Sequence, residues 1–157
     1  MNRKMKIAFG CYLAAIIIIS SLALTYLFTP QLLSYQEQAI GVTWSQLQPG
    51  FKTQFMSLLK VSGGGYLSTA VALAILLFIP FKRKENWARI AITALGSLSV
   101  LIVNYAGLTL MLNTPGRPPL IAGPITIALL IVGFILSGDI NKQKQTRISE
   151  TVGARSL

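Results

Sequence analysis

The polar positions of this chain are bunched, and the apolar runs between them are too continuous to be single faces of amphipathic helices. Four stretches, about residues 7–28, 61–81, 90–112 and 119–138, carry no charged side chain. A bilayer core needs about 20 apolar helical residues to cross, and each run supplies that length. A helix closes its own backbone hydrogen bonds, which hydrocarbon demands. The pattern predicts an all-α fold: a four-helix transmembrane bundle over 1–140 with a polar tail over 141–157.

Between the first two runs lies a different pattern. Residues 29–60 are mixed rather than apolar, and they contain helix signals. Thr29-Pro30 suits an N-cap and first helical position, with a stop at Gly41. Thr43-Trp44-Ser45-Gln46 reads as a capping box. From Pro49 onward, Phe51, Phe55, Leu58 and Leu59 fall on one helical face, with Lys52, Thr53, Ser57 and Lys60 as the polar remainder. This predicts a short amphipathic helical segment outside the membrane, lying on its surface or across the helix ends as a cap.

Small residues mark the entrance to the second run. Gly63, Gly64 and Gly65 are consecutive, and Gly64, Ser68 and Ala72 make a ridge four residues apart. Membrane helices pack through such ridges, so helix packing is the expected role, with a hinge as the alternative. A phosphate loop is not expected, because the lysine-bearing pattern is missing. In the last connection, Pro115-Gly116 suits the centre of a type II turn, and Pro118-Pro119 can open the final helix.

Composition and charge then fix the environment and orientation. Charged residues are 11% of the chain and hydrophobic ones 53%, whereas soluble domains are about 25% charged. The net charge of +10 could serve nucleic acid or an anionic bilayer surface. The charges flank apolar runs without an interleaved aromatic stripe, so membrane lipids are the expected partners and nucleic acid is not. Other membrane proteins, or further copies of this chain, are the remaining candidates. Of 14 basic residues, eleven lie before the first run, between the second and third, or after the fourth; only Lys52, Lys60 and Arg117 lie on the other side. The positive-inside rule places both termini in the cytoplasm. Trp87 sits where an interfacial aromatic belongs. A cleaved signal peptide is the rival for the first run, given Ser21 and Ala23, but the run continues to Phe28 and is long enough to span.

Candidate chemistry is sparse. The chain has no histidine and a single cysteine, Cys11. That removes His-ligated metal or haem, a histidine base and paired-thiol redox chemistry. No run contains Asp or Glu, which argues against the proton-coupled drug exporters of similar size. No metal or cofactor is expected. The costliest polar side chain in a run is Asn104, beside Tyr105 in the outer half of the third. Its ordinary role is an interhelical hydrogen bond; its functional role would be to orient a ligand under the outer cap. Glu37 is the one acid on that side. Glu37, Asn104 and Tyr105 are therefore the candidate ligand-binding residues.

With the outer segment, the glycine triplet and Lys82-Arg83-Lys84-Glu85-Asn86-Trp87-Ala88-Arg89 in view, the chain resembles small four-helix bacterial inner-membrane proteins of uncharacterised function over about 7–138. The resemblance implies a bundle in a bacterial inner membrane, and no activity. The expected function is non-enzymatic: an accessory or assembly subunit, or a binder of a lipid-like molecule. The alternative is a small transporter or pore built from several copies.

Overall fold

A computed structural model of the chain describes residues 3–138, and the expected tail lies outside them. The described chain is all-α, with five α-helices: α1 (Arg3–Phe28), α2 (Ser34–Ile40), α3 (Pro49–Leu76), α4 (Asn86–Asn113) and α5 (Ala122–Leu136). A 3₁₀ turn, Trp44–Gln46, separates α2 from α3. Three helices are long and apolar enough to cross a membrane: α1, α3 with its extension to Phe81, and α4. α5 is apolar but has only 15 residues.

α1 is the centre of the bundle. Its buried residues, Met5, Ala8, Tyr12, Ala15, Ile16, Ile19 and Ala23, recur at helical spacing and face α3 and α5. Small residues let the backbones approach. A Cβ on Gly63 of α3 would stand 2.9 Å from Leu27 Cγ and 3.0 Å from the Ala23 carbonyl oxygen. A Cβ on Gly133 of α5 would stand 2.9 Å from the Tyr12 ring. α4 packs chiefly on α5, and its contact with α3 is sparser. The bundle thus runs α3–α1–α5–α4, with the α3–α4 side less closed.

The second span does not begin after a separate surface helix. α3 runs unbroken from Pro49 through all three glycines, so they form no hinge. Together with a π-helical turn, Leu77–Phe81, it makes 33 residues, or about 50 Å of helix against a bilayer core of about 30 Å. A helix of that length exceeds the core, and α3 does not turn at the glycines to lie across it. Of the expected apolar face, Leu59 is buried, Phe55 half-buried, and Phe51 and Leu58 exposed. The π turn has a local cause: Pro80 sits inside it and has no amide for the i→i−4 ladder. Lys84, at φ 62°, then reverses the chain, and the Glu85 amide donates to the Pro80 carbonyl at 3.0 Å.

Two other local expectations are corrected. The first outer helix begins at Ser34 rather than Pro30, because the Thr29 amide still donates to the Thr25 carbonyl of α1. Its stop is at Gly41, left-handed at φ 72°, a conformation glycine adopts without a Cβ penalty. The Pro115-Gly116 pair does not form a type II turn, since Gly116 lacks the positive φ that turn requires. Gly116 is instead a close-approach residue: a Cβ there would lie 2.6 Å from the Tyr35 carbonyl oxygen and 2.9 Å from Ala39 Cβ.

Candidate functional site

At the end of the bundle away from the turn at 82–84, α2 is held from two sides. The Tyr26 and Tyr35 hydroxyls are 2.9 Å apart, the Tyr26 and Tyr66 rings lie 6.0 Å apart, and Gly116 presses on α2 from the last connection. Two glutamines start successive elements in the same way: Gln36 Oε1 accepts from the Leu33 amide and Gln46 Oε1 from the Thr43 amide, both at 3.0 Å. Burial pushes the Tyr35 phenol well above its ordinary range, and its hydrogen bond with Tyr26 adds to that.

The candidate ligand residues do not converge beneath this cap. Glu37 Oε1 accepts from the Trp44 amide at 2.8 Å, so its carboxylate closes the loop between α2 and the 3₁₀ turn. Lys52 lies over the Trp44 ring at 5.6 Å and donates to the Ser45 carbonyl at 3.5 Å. Asn104 donates from Nδ2 to the Val100 carbonyl of its own helix at 2.8 Å. Its amide fills the space above Gly123 of α5, where a Cβ would collide with it. Tyr105 is 74% exposed. Consecutive helical residues diverge by about 100°, so Asn104 and Tyr105 point different ways.

The small-residue ridge divides likewise. Gly63 is buried against α1, whereas Gly64 and Gly65 face open space. Ser68 and Ala72 are exposed and line a lateral groove of about 440 Å³ with Thr69, Leu95, Leu98, Ser99 and Ile102. The Ser68 and Thr69 hydroxyls donate to their own helix, at the Gly64 and Gly65 carbonyls. The groove between α3 and α4 therefore presents a mainly apolar wall.

A buried polar group forms at the opposite, basic end. Tyr12 is fully buried, and its hydroxyl lies 3.1 Å from Thr93 Oγ1. Ser137 is also fully buried and donates to the Phe134 carbonyl at 3.0 Å. The Arg89 guanidinium stacks 4.9 Å from the Phe134 ring centre. Its Nε and the Asn86 Oδ1 are buried without a hydrogen-bond partner among the described residues. Sequence reasoning missed this group. Tyr12 is hidden within an apolar run, and Arg89 counts only as one of eleven orienting charges. The signal was nonetheless present: Asn86, Arg89 and Thr93, at i, i+3 and i+7, share one helical face.

Among the described residues, no group of three His, Cys, Asp or Glu side chains is assembled that could hold a metal. What the fold offers is a lateral groove and a buried polar corner. No protein-family model, curated protein or solved structure matches the chain.

Proposed function

We propose that this is a four-span protein of a bacterial inner membrane, with both termini cytoplasmic, that works by binding within the plane of the bilayer. In this reading it is a non-enzymatic accessory or assembly subunit, or a holder of a lipid-like molecule, and the α3–α4 groove is where the partner helix or acyl chain lies. The carrying observation is the uneven cover of the helices. Only 11% of the apolar window of α4 is buried, against 33% for α1 and 28% for α3. The least covered helix also borders the lateral groove. α5 completes the fourth crossing with its flanks: Leu120 and Ile121 before it and Ser137-Gly138 after it extend the apolar stretch beyond the 15 helical residues.

A photo-crosslinking side chain at Ser99, compared with one at Ala128 on the exposed face of α5, tests the reading in native membranes. Ser99 should give a discrete adduct, with one lipid class or one protein, that Ala128 does not. The same diffuse lipid labelling at both positions would remove the groove as a binding site. The outward-facing Ser68 and Ala72 favour a second reading, a transporter or pore assembled from several copies. An adduct at twice the mass of the chain would select it.

A further inference from the structure

We infer that Arg89 and Asn86 form a phospholipid headgroup site at the basic end of the bundle. Arg89 would take the headgroup phosphate, and Asn86 a hydrogen-bond donor carried by the same headgroup. The inference extends the binding reading to a place other than the α3–α4 groove.

The first observation is an unbalanced charge. The carboxylates among the described residues are Glu37 and Glu85. Glu37 belongs to the outer cap, on the Trp44 amide. Glu85 Oε2 accepts from Trp87 Nε1 at 2.7 Å. Arg89 meanwhile packs between the Phe134 ring and Gly138, where a Cβ would stand 3.2 Å from its Nη1. Removing a guanidinium from water without an anionic partner is costly. A half-buried Arg at the edge of a bundle is relieved by an anion from outside, and its planar fork matches the oxygens of phosphate.

The second observation is the orphan acceptor one helical turn away. Asn86 Oδ1 is buried without a partner among the described residues, as is Arg89 Nε. A lone donor would fit any anion. A donor and an acceptor on one helical face fit a ligand that offers both, such as a phosphate beside an ammonium or a hydroxyl. Headgroups of the ethanolamine and glycerol types carry that pair; the choline type carries phosphate without a donor.

The third observation is depth. Lys82 Nζ lies 4.7 Å from the Phe78 ring centre and 5.5 Å from that of Phe9, a cation folded back over the apolar edge. Trp87 is 54% exposed, as an interfacial tryptophan is. Arg89 is in the first turns of the same helix, at the level where headgroup phosphates lie.

The test is native mass spectrometry of the full chain, exchanged into micelles doped with phosphatidylglycerol, phosphatidylethanolamine or phosphatidylcholine. The first two should be retained about tenfold better than the third, the scale of one hydrogen bond. Arg89→Gln should lower the retention of all three, phosphatidylcholine included, because each carries the phosphate, and Arg89→Lys should fall between. Asn86→Leu should keep phosphatidylglycerol and phosphatidylethanolamine bound but erase their advantage over phosphatidylcholine. Asp139→Asn should change nothing. Should Arg89→Gln fail to accumulate, Arg89→Lys and Asn86→Leu carry the reading. Equal retention of all lipids by the unaltered protein would overturn the site. So would displacement of bound lipid by inorganic phosphate alone, or a loss in Asp139→Asn equal to that in Arg89→Gln. Because the readout is headgroup class, it can fail while crosslinking at Ser99 succeeds, and the reverse.

Discussion

The amide of Asn104 occupies the volume that a side chain at residue 123 would need. α4 and α5 therefore meet here through one polar side chain laid over one glycine. Gly123→Ala should destabilise the fold by about 1–3 kcal/mol, the range for overpacking a filled contact. Adding Asn104→Ala should return part of that loss. Thermal unfolding of the single and double variants in detergent checks it, and strictly additive losses would show that the two residues do not share the space.

Tyr12 joins α1 to α4 across the bundle through its 3.1 Å contact with Thr93 and lies against Gly133 of α5. Tyr12→Phe removes only the hydroxyl and should cost about 0.6–1.7 kcal/mol, as interhelical hydrogen bonds in membranes do. Tyr12→Ala also empties the ring site and should cost about 3–5 kcal/mol. The same unfolding measurement separates them; equal losses would mean that the hydroxyl, not the ring, does the joining.

The glycine triplet should prove unequal. Gly63→Ala must displace α1 and should lower stability. Gly64→Ala meets open space and should be neutral or raise stability by up to about 1 kcal/mol through helix propensity. Matching losses at both positions would indicate that a partner covers Gly64 as α1 covers Gly63.

How much of this was legible follows from which forces act locally. The apolar runs marked α1, α4 and the inner part of α3, because hydrocarbon selects composition over some twenty consecutive residues. The stop at Gly41 was legible for the same reason: a left-handed cap is a one-residue requirement. The sequence could not say that Gly63 meets α1 while Gly64 and Gly65 do not, since a helix through three glycines can turn any of them inward. Nor could it say that Gly116 serves α2 by contact rather than by turn geometry. Glu37 and Asn104 stood out as rare polar residues, yet nearby backbone engages each: the Trp44 amide in one case, the Val100 carbonyl in the other. Arg89 was obscured by its membership in a basic cluster whose statistical role is orientation.

The outer cap should loosen in strong base. The Tyr35 phenol is held well above its ordinary range by burial, so the folded state favours its neutral form. That stability is fully present below pH 10 and is lost as pH rises toward the folded value, because the unfolded chain ionises first. Proteolysis at Lys52, followed between pH 8 and pH 11, should accelerate above about pH 10 in the native sequence. Tyr35→Phe should flatten the rise; an unchanged profile in that variant would place the alkaline transition elsewhere.

The proposed four-span arrangement, with the cap on one face and both termini on the other, is open to one direct measurement. In a Cys11→Ser background, single cysteines are placed by Ser45→Cys in the cap and Thr146→Cys in the tail. Both are treated in intact cells with a thiol reagent that cannot cross the inner membrane, then again after permeabilisation. The expected result is labelling of the Ser45→Cys protein in intact cells and of the Thr146→Cys protein only after permeabilisation. Labelling of both in intact cells would contradict it, since α5 would then fail to return the chain to the cytoplasm.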